Sequence, residues 1–155
     1  KYITIASTGD ASDFGSLNTT YSRIQIFSGV ASSQTRGLFM GGQMNALSGS
    51  SPPGDPVSDS TFGRTDTVEY ITIGSTGNGT DFGNLSHFTF FGGQTSSRTR
   101  ALGMGGYGNS AGEGPSINTI QYFTIGSTGN STDFGDLTAT KAELAANSGA
   151  HGGVV

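Results

Sequence analysis

Asp81-Phe82-Gly83 is the triplet with which protein kinases hold a magnesium-bound nucleotide. Here it occurs three times, the other copies being Asp13-Phe14-Gly15 and Asp133-Phe134-Gly135, with no catalytic loop or glycine-rich strand beside it. Kinase chemistry is therefore excluded, and the triplet reads as structure: Asp steadies a turn, Phe packs inward, and Gly lets the chain bend. Gly103-Met104-Gly105-Gly106-Tyr107-Gly108 fits a dinucleotide-binding spacing, which needs a helix directly after it. Asn109–Ser116 carries Gly112, Gly114 and Pro115 and supplies none. The turns Gly9–Asp13, Gly77–Asp81 and Gly129–Asp133 offer oxygens that could meet Ca²⁺. Two of them hold a single carboxylate, short of what a calcium site takes, so they read as Asx-type turns. His87 and His151 are the only histidines and there is no Cys, which leaves no triad, thiolate or zinc centre in view. No catalytic residue, metal or cofactor is expected.

Arg36 and Arg100, each preceded by Thr, recur at one position of a larger pattern. They either line a channel that holds an anionic sugar or tie neighbouring units together by charge-assisted hydrogen bonds, the more usual use of a repeated Arg. His151 stands at that place in a third unit, which argues against a strict functional demand.

The elements that must position these residues form an internal repeat. Tyr70–Leu85 reads YITIGSTGNGTDFGNL; Tyr2–Leu17 and Tyr122–Leu137 repeat it without a gap. The chain is therefore an array of units. In each copy a β-branched, alternating stretch such as Tyr70–Ile73 predicts a strand. Ser75-Thr76-Gly77-Asn78 predicts a tight turn, and Asp81–Leu85 a second short strand. Tyr2, Phe14, Leu17, Tyr70, Phe82, Leu85, Tyr122, Phe134 and Leu137 are the expected repeat core, with the Phe and Leu residues packed between units.

Before each hairpin comes an apolar strand ending in a double glycine, Thr35–Gly42 and Thr99–Gly106, and before that an aromatic or aliphatic strand, Ile24–Phe27 and His87–Phe91. Ala139–Ala146 has helical propensity, but its sisters are β-rich and it is read as a strand. The loops after the double glycines differ most in length: Gln43–Asp66, with three of the four prolines, and Tyr107–Ser116. Strands that keep register while loops vary describe a scaffold presenting loops.

Composition agrees. Of 155 residues only 32% are hydrophobic and 27 are Gly, which suits many short strands better than one thick core. A net charge of −4 with scattered basic residues disfavours nucleic-acid binding, and no apolar run reaches transmembrane length, so no membrane insertion is expected. The opening on Lys1 inside a repeat reads as a processed chain or part of a longer array.

The order of an apolar strand ending in Gly-Gly, a variable loop, a strand with Tyr and a later aromatic resembles a kelch repeat. Gly41-Gly42, Gly105-Gly106, Tyr70 and Tyr122 carry it, with Phe82 and Phe134 where kelch proteins have Trp. The phrase shared by the three hairpins also resembles kelch-like repeat proteins of marine bacteriophages, especially cyanophages. That resemblance implies an all-β propeller of four-stranded blades, ordered c-d, a-b-c-d, a-b-c-d, a-b along this chain. Its units are about 1–17 with 139–155, 18–85 and 86–138. Three blades fall below the usual four to eight, so the chain would be part of a longer array or half of a two-chain ring; a β-trefoil is the rival fold. The resemblance further implies a non-enzymatic virion or cell-surface module. Its partners would be copies of itself, another virion protein or a host glycan. Phe62, Arg64, Tyr107 and Asn109 on the loops, with Arg36 and Arg100, are the candidate ligand residues. The alternatives are a purely structural spacer and a propeller-scaffold enzyme acting on glycans.

Overall fold

The structure is a computed structural model that describes residues 1–17, 24–26, 29–44, 63–87, 89–108 and 115–148. These residues are all-β, in antiparallel sheets and without a helix. Strands β1 (Ile24–Ile26), β2 (Gly29–Ser32), β3 (Arg36–Met44), β4 (Gly63–Thr72) and β5 (Thr80–Asn84) form the first sheet. Both β1 and β2 lie along β3, followed by β4 and β5 in order. Strands β6 (Thr89–Phe90), β7 (Gly93–Ser96), β8 (Arg100–Met104), β9 (Tyr107–Gly108), β10 (Thr119–Thr124) and β11 (Thr132–Asp136) repeat the plan. There β7-β8-β10-β11 is a four-stranded meander, and β6 pairs with β9 beyond it. Each unit is thus four consecutive strand positions, with the first interrupted, and in the second unit the second as well.

Those interruptions correct the strands expected from sequence. The main pairing of the second unit's first strand is made by Gly93–Ser96 on Arg100–Met104, whereas Thr89–Phe90 alone remains of the expected His87–Phe91 strand. Polar GQTS and small GVAS carry no large alternating side chains, so the hydrophobic pattern pointed past them. Ala139–Ala146 is not a strand. It bonds to the second unit at scattered points, with Lys141 N–H donating to the Ile117 carbonyl (3.1 Å) and Glu143 N–H to the Phe91 carbonyl (2.8 Å). Its sister gains a ladder from β8; among the described residues Ala139–Ala146 has no such hairpin partner. The first hairpin likewise reduces to one bridge, Tyr2 with Ser12, because no strand equivalent to β3 or β8 flanks Tyr2–Ile5 among the described residues.

The expected tight turn is also longer than read. β4 ends at Thr72 and β5 begins at Thr80, so Ser75–Asn78 belongs to an extended connection. The special backbone lies instead at the triplet's glycine: φ is +143° at Gly15, +145° at Gly83 and +133° at Gly135. The pairing register shifts beside it. Val68 faces Gly83 and Glu69 faces Asp81, so Phe82 is the extra residue of a β-bulge, and Phe134 holds the same place opposite Ile120 and Gln121.

The core unites both sheets: Ala31, Leu38, Met40, Val68, Phe82 and Leu85 from the first unit pack with Ala101, Phe123 and Ile125 of the second. Phe82 is its centre, edge-on to Tyr70 at 5.8 Å and to Phe123 at 5.6 Å between ring centroids. The Tyr–Phe pair recurs as Tyr2–Phe14 (6.0 Å) and Tyr122–Phe134 (6.1 Å) with the same edge geometry. What differs is the second neighbour. Phe82 is 2% exposed, while Phe134, placed by the sequence in a buried layer, is 52% exposed. Leu85 is buried; Phe14, Leu17 and Leu137 are half-buried.

Phe82→Ala should therefore destabilise the chain by about 3–5 kcal/mol, the cost of emptying a buried Phe site. Phe134→Ala should cost about 1 kcal/mol or less in the isolated chain, as a surface change does. Urea unfolding followed by circular dichroism measures both.

Candidate functional site

The most constructed feature of the surface between units is a joint that the chain makes twice. The bulge turns the edge of the triplet toward the connection of the next copy. Gly77 N–H donates to the Phe14 carbonyl (2.7 Å) and Gly79 N–H to the Ser16 carbonyl (2.8 Å). In the same register, Gly129 N–H donates to Phe82 (2.7 Å) and Ser131 N–H to Asn84 (2.9 Å). The two segments run parallel. Between these bonds the Asn side chain replaces a backbone acceptor: Ser16 N–H donates to Asn78 Oδ1, and Asn84 N–H to Asn130 Oδ1, both at 3.0 Å.

The glycine is what permits the approach. A Cβ on Gly15 would fall on the Gly77 carbonyl, and one on Gly83 on the Gly129 carbonyl. Its positive φ favours glycine as well. The turn asparagines, read as Asx-type turns, thus reach across to the preceding copy; an Asx turn does form at Asp133, whose Oδ1 accepts from Gly135 N–H at 3.1 Å.

Arg36 closes the joint from the side. Its guanidinium lies 4.6 Å over the Tyr70 ring and donates through Nη1 to the Ile125 carbonyl of the next unit at 2.8 Å. Arg100 takes the same pose, 4.7 Å over Tyr122, and among the described residues no carbonyl meets its guanidinium. One repeated arginine is therefore a tie between units, and its twin holds the same stacked pose with no such tie among the described residues.

The other candidate ligand residues lie on separate elements or outside the described residues. Arg64 lies on β4, its backbone paired with Gln43; Phe62 and Asn109 lie outside the described residues. Tyr107 is half-buried in an aromatic group with Phe90 (5.3 Å) and Phe91 (6.4 Å). Arg100 begins β8, and Tyr107 lies on β9 beyond its other end, after the positive-φ Gly105 and Gly106. Phe91 holds φ +55°, and Glu143, 52 residues on, holds φ +57°. A bulky residue there is strained, so the repeat imposes the conformation at both places.

His87 Nδ1 lies 2.8 Å from Ser86 Oγ, and the Ser86 hydroxyl donates to Gln121 Oε1 at 3.0 Å; no carboxylate completes a relay among the described residues. Nor do three or more His, Cys, Asp or Glu side chains cluster there as metal ligands. His151 lies outside the described residues. No protein-family model matches the sequence, and no curated protein matches it.

Sequence reasoning assigned the joint's Phe and Leu to packing but missed its hydrogen bonds. The available signal was the pairing of Asn78 and Asn130 with a glycine always two residues after the triplet's Asp. Two comparisons isolate the joint. Gly83→Ala and Gly135→Ala carry similar backbone strain, about 1–2 kcal/mol, but only the first meets a neighbouring carbonyl. Gly83→Ala should be the more destabilising by a further 1 kcal/mol or more. Arg36→Ala should cost about 1.5–3 kcal/mol through its lost carbonyl bond, against about 0.5–1 kcal/mol for Arg100→Ala. Thermal and urea unfolding of the four isolated variants gives these differences.

Proposed function

We propose that this chain is a non-enzymatic, kelch-like β-propeller module, each four-stranded meander a blade, and that it serves as a structural element of a virion or cell surface. The observation that carries the reading is the joint: successive copies are locked twice by the same hydrogen bonds, in the same register, with the same glycine. Stability of that kind is a sum of unit and neighbour terms, which suits a rigid spacer or assembly subunit. The meander order a-b-c-d within each unit supports the blade, and the core shared by both sheets supports blade-on-blade packing.

A second reading has its own observation. Phe91 and Tyr107 form an aromatic group at the start of a variable loop, with Phe91 exposed on a strained backbone. Such a surface suits stacking against a sugar ring, and the loops after the double glycines would then present a host glycan or partner-protein site.

A panel of glycosides and a glycan array test both readings. The scaffold reading expects no turnover on any glycoside, and turnover overturns it. The second reading expects glycan binding that falls at least tenfold when Phe91 and Tyr107 are both changed to Ala; undiminished binding removes it. A crystal structure in which successive meanders do not share an axis would end the propeller.

A further inference from the structure

We infer that the bare edge Phe134–Asp136 takes the Tyr2–Ser12 segment of a second copy of this chain, making between molecules the joint that the chain makes twice within itself. The inference rests on the scaffold reading above and names its partner.

Among the described residues, the third copy and the first copy each carry one half of the joint without its counterpart. At the Phe134 end, the ring keeps its Tyr122 but lacks what Phe123 gives Phe82, and it stands half exposed. The residue of the first copy equivalent to Phe123 is Ile3, 63% exposed. Gly135 repeats the open φ of Gly15 and Gly83, yet a Cβ there would meet nothing within 4 Å. The carbonyls of Gly77 and Gly129 cover the other two; their equivalent is Gly9. The carbonyls of Phe134 and Asp136 correspond to those that accept from the next copy in the inner joints, and the matching donors are the N–H groups of Gly9 and Ala11. Arg100, poised over Tyr122, corresponds to Arg36. The acceptor of Arg36 is Ile125, 1% exposed, and its equivalent is Ile5, 94% exposed.

The exposure itself is distributed this way. Of the seven exposed large hydrophobic residues among the described ones, Ile3, Ile5 and Phe134 lie on these two faces. Single exposed apolar side chains are ordinary, but a matched pair of faces is a docking site. The two faces are complementary and unlike, so the contact is heterologous and propagates into a ring or a string of chains.

A pair of carboxylates separates this joint from the inner two. Where Asn78 and Asn130 accept, the first copy has Asp10, and it would approach Asp136 in place of Ser16 or Asn84. Two carboxylates side by side weaken the contact, more so at low salt.

Sedimentation velocity over a range of concentrations, at low and moderate salt, tests the inference. The wild-type chain should form assemblies whose mass rises with concentration, more readily at moderate salt. Asp10→Asn should tighten them roughly two- to fivefold, by removing a like-charge pair; unchanged or weaker association overturns the register. Ile3→Asp and Phe134→Asp each spoil one end, so each alone should remain monomeric. Mixed in equal amounts they should form a dimer and nothing larger, since each retains the end that the other lost. A wild-type chain monomeric at every concentration overturns the inference, as does association that both end variants leave intact. A monomer with an unchanged circular dichroism spectrum and no glycoside turnover would leave the scaffold reading standing.

Discussion

At Gly83 the backbone takes φ +145°, and much of the molecule follows from it. The turn makes Phe82 the extra residue of a bulge, sends its ring between Tyr70 and Phe123, and brings the Phe82 and Asn84 carbonyls to the N–H groups of the next copy. Hydrophobic burial and hydrogen bonding are thus coupled at one position. A side chain there would collide with the Gly129 carbonyl, so neither part of the coupling is available to a residue with a Cβ.

The double glycine performs a related task on the other side of each unit. Gly41 and Gly105 hold φ near +60°, and a Cβ on them would press on the Thr89 and Lys141 carbonyls respectively. The segment that begins each new unit therefore passes directly over the glycine of the unit before. Units meet along backbone at both places, where side chains are smallest. This explains how a chain with 27 glycines and a 32% hydrophobic content holds a core: close backbone approach adds hydrogen bonds to a modest amount of apolar burial. It also explains why the loops after the double glycines are free to differ, since the meeting points lie outside them.

An array built this way is one-dimensional in its energetics. The same residue has a different value at different places along it. Phe82 and Phe134 share a sequence motif, a bulge and a tyrosine partner, yet one is sealed and the other open. Arg36 and Arg100 share a stacked pose, yet among the described residues only Arg36 meets a carbonyl of the next unit. The motif defines what each position is capable of, and the presence of a neighbour defines whether the capability is used.

Three gapless copies of one sixteen-residue stretch were enough to establish an array of short strands and the glycine after each Phe, because these depend on local pattern and recur with it. The chemistry-bearing look of Asp-Phe-Gly was also resolved in the sequence, by its repetition and by the lack of a catalytic loop or glycine-rich strand. The strands Gly29–Ser32 and Gly93–Ser96 were not legible, since their pairing comes from β3 and β8 and not from their own side chains. Ala139–Ala146 was read from its sisters, but sister sequences do not supply the hairpin partner that turns an extended segment into a ladder. Only the tertiary structure could decide the parallel joint with its bridging asparagines. Its bonds join residues 46 and 62 positions apart, and no local periodicity records which carbonyl will lie within reach of an amide that far along the chain.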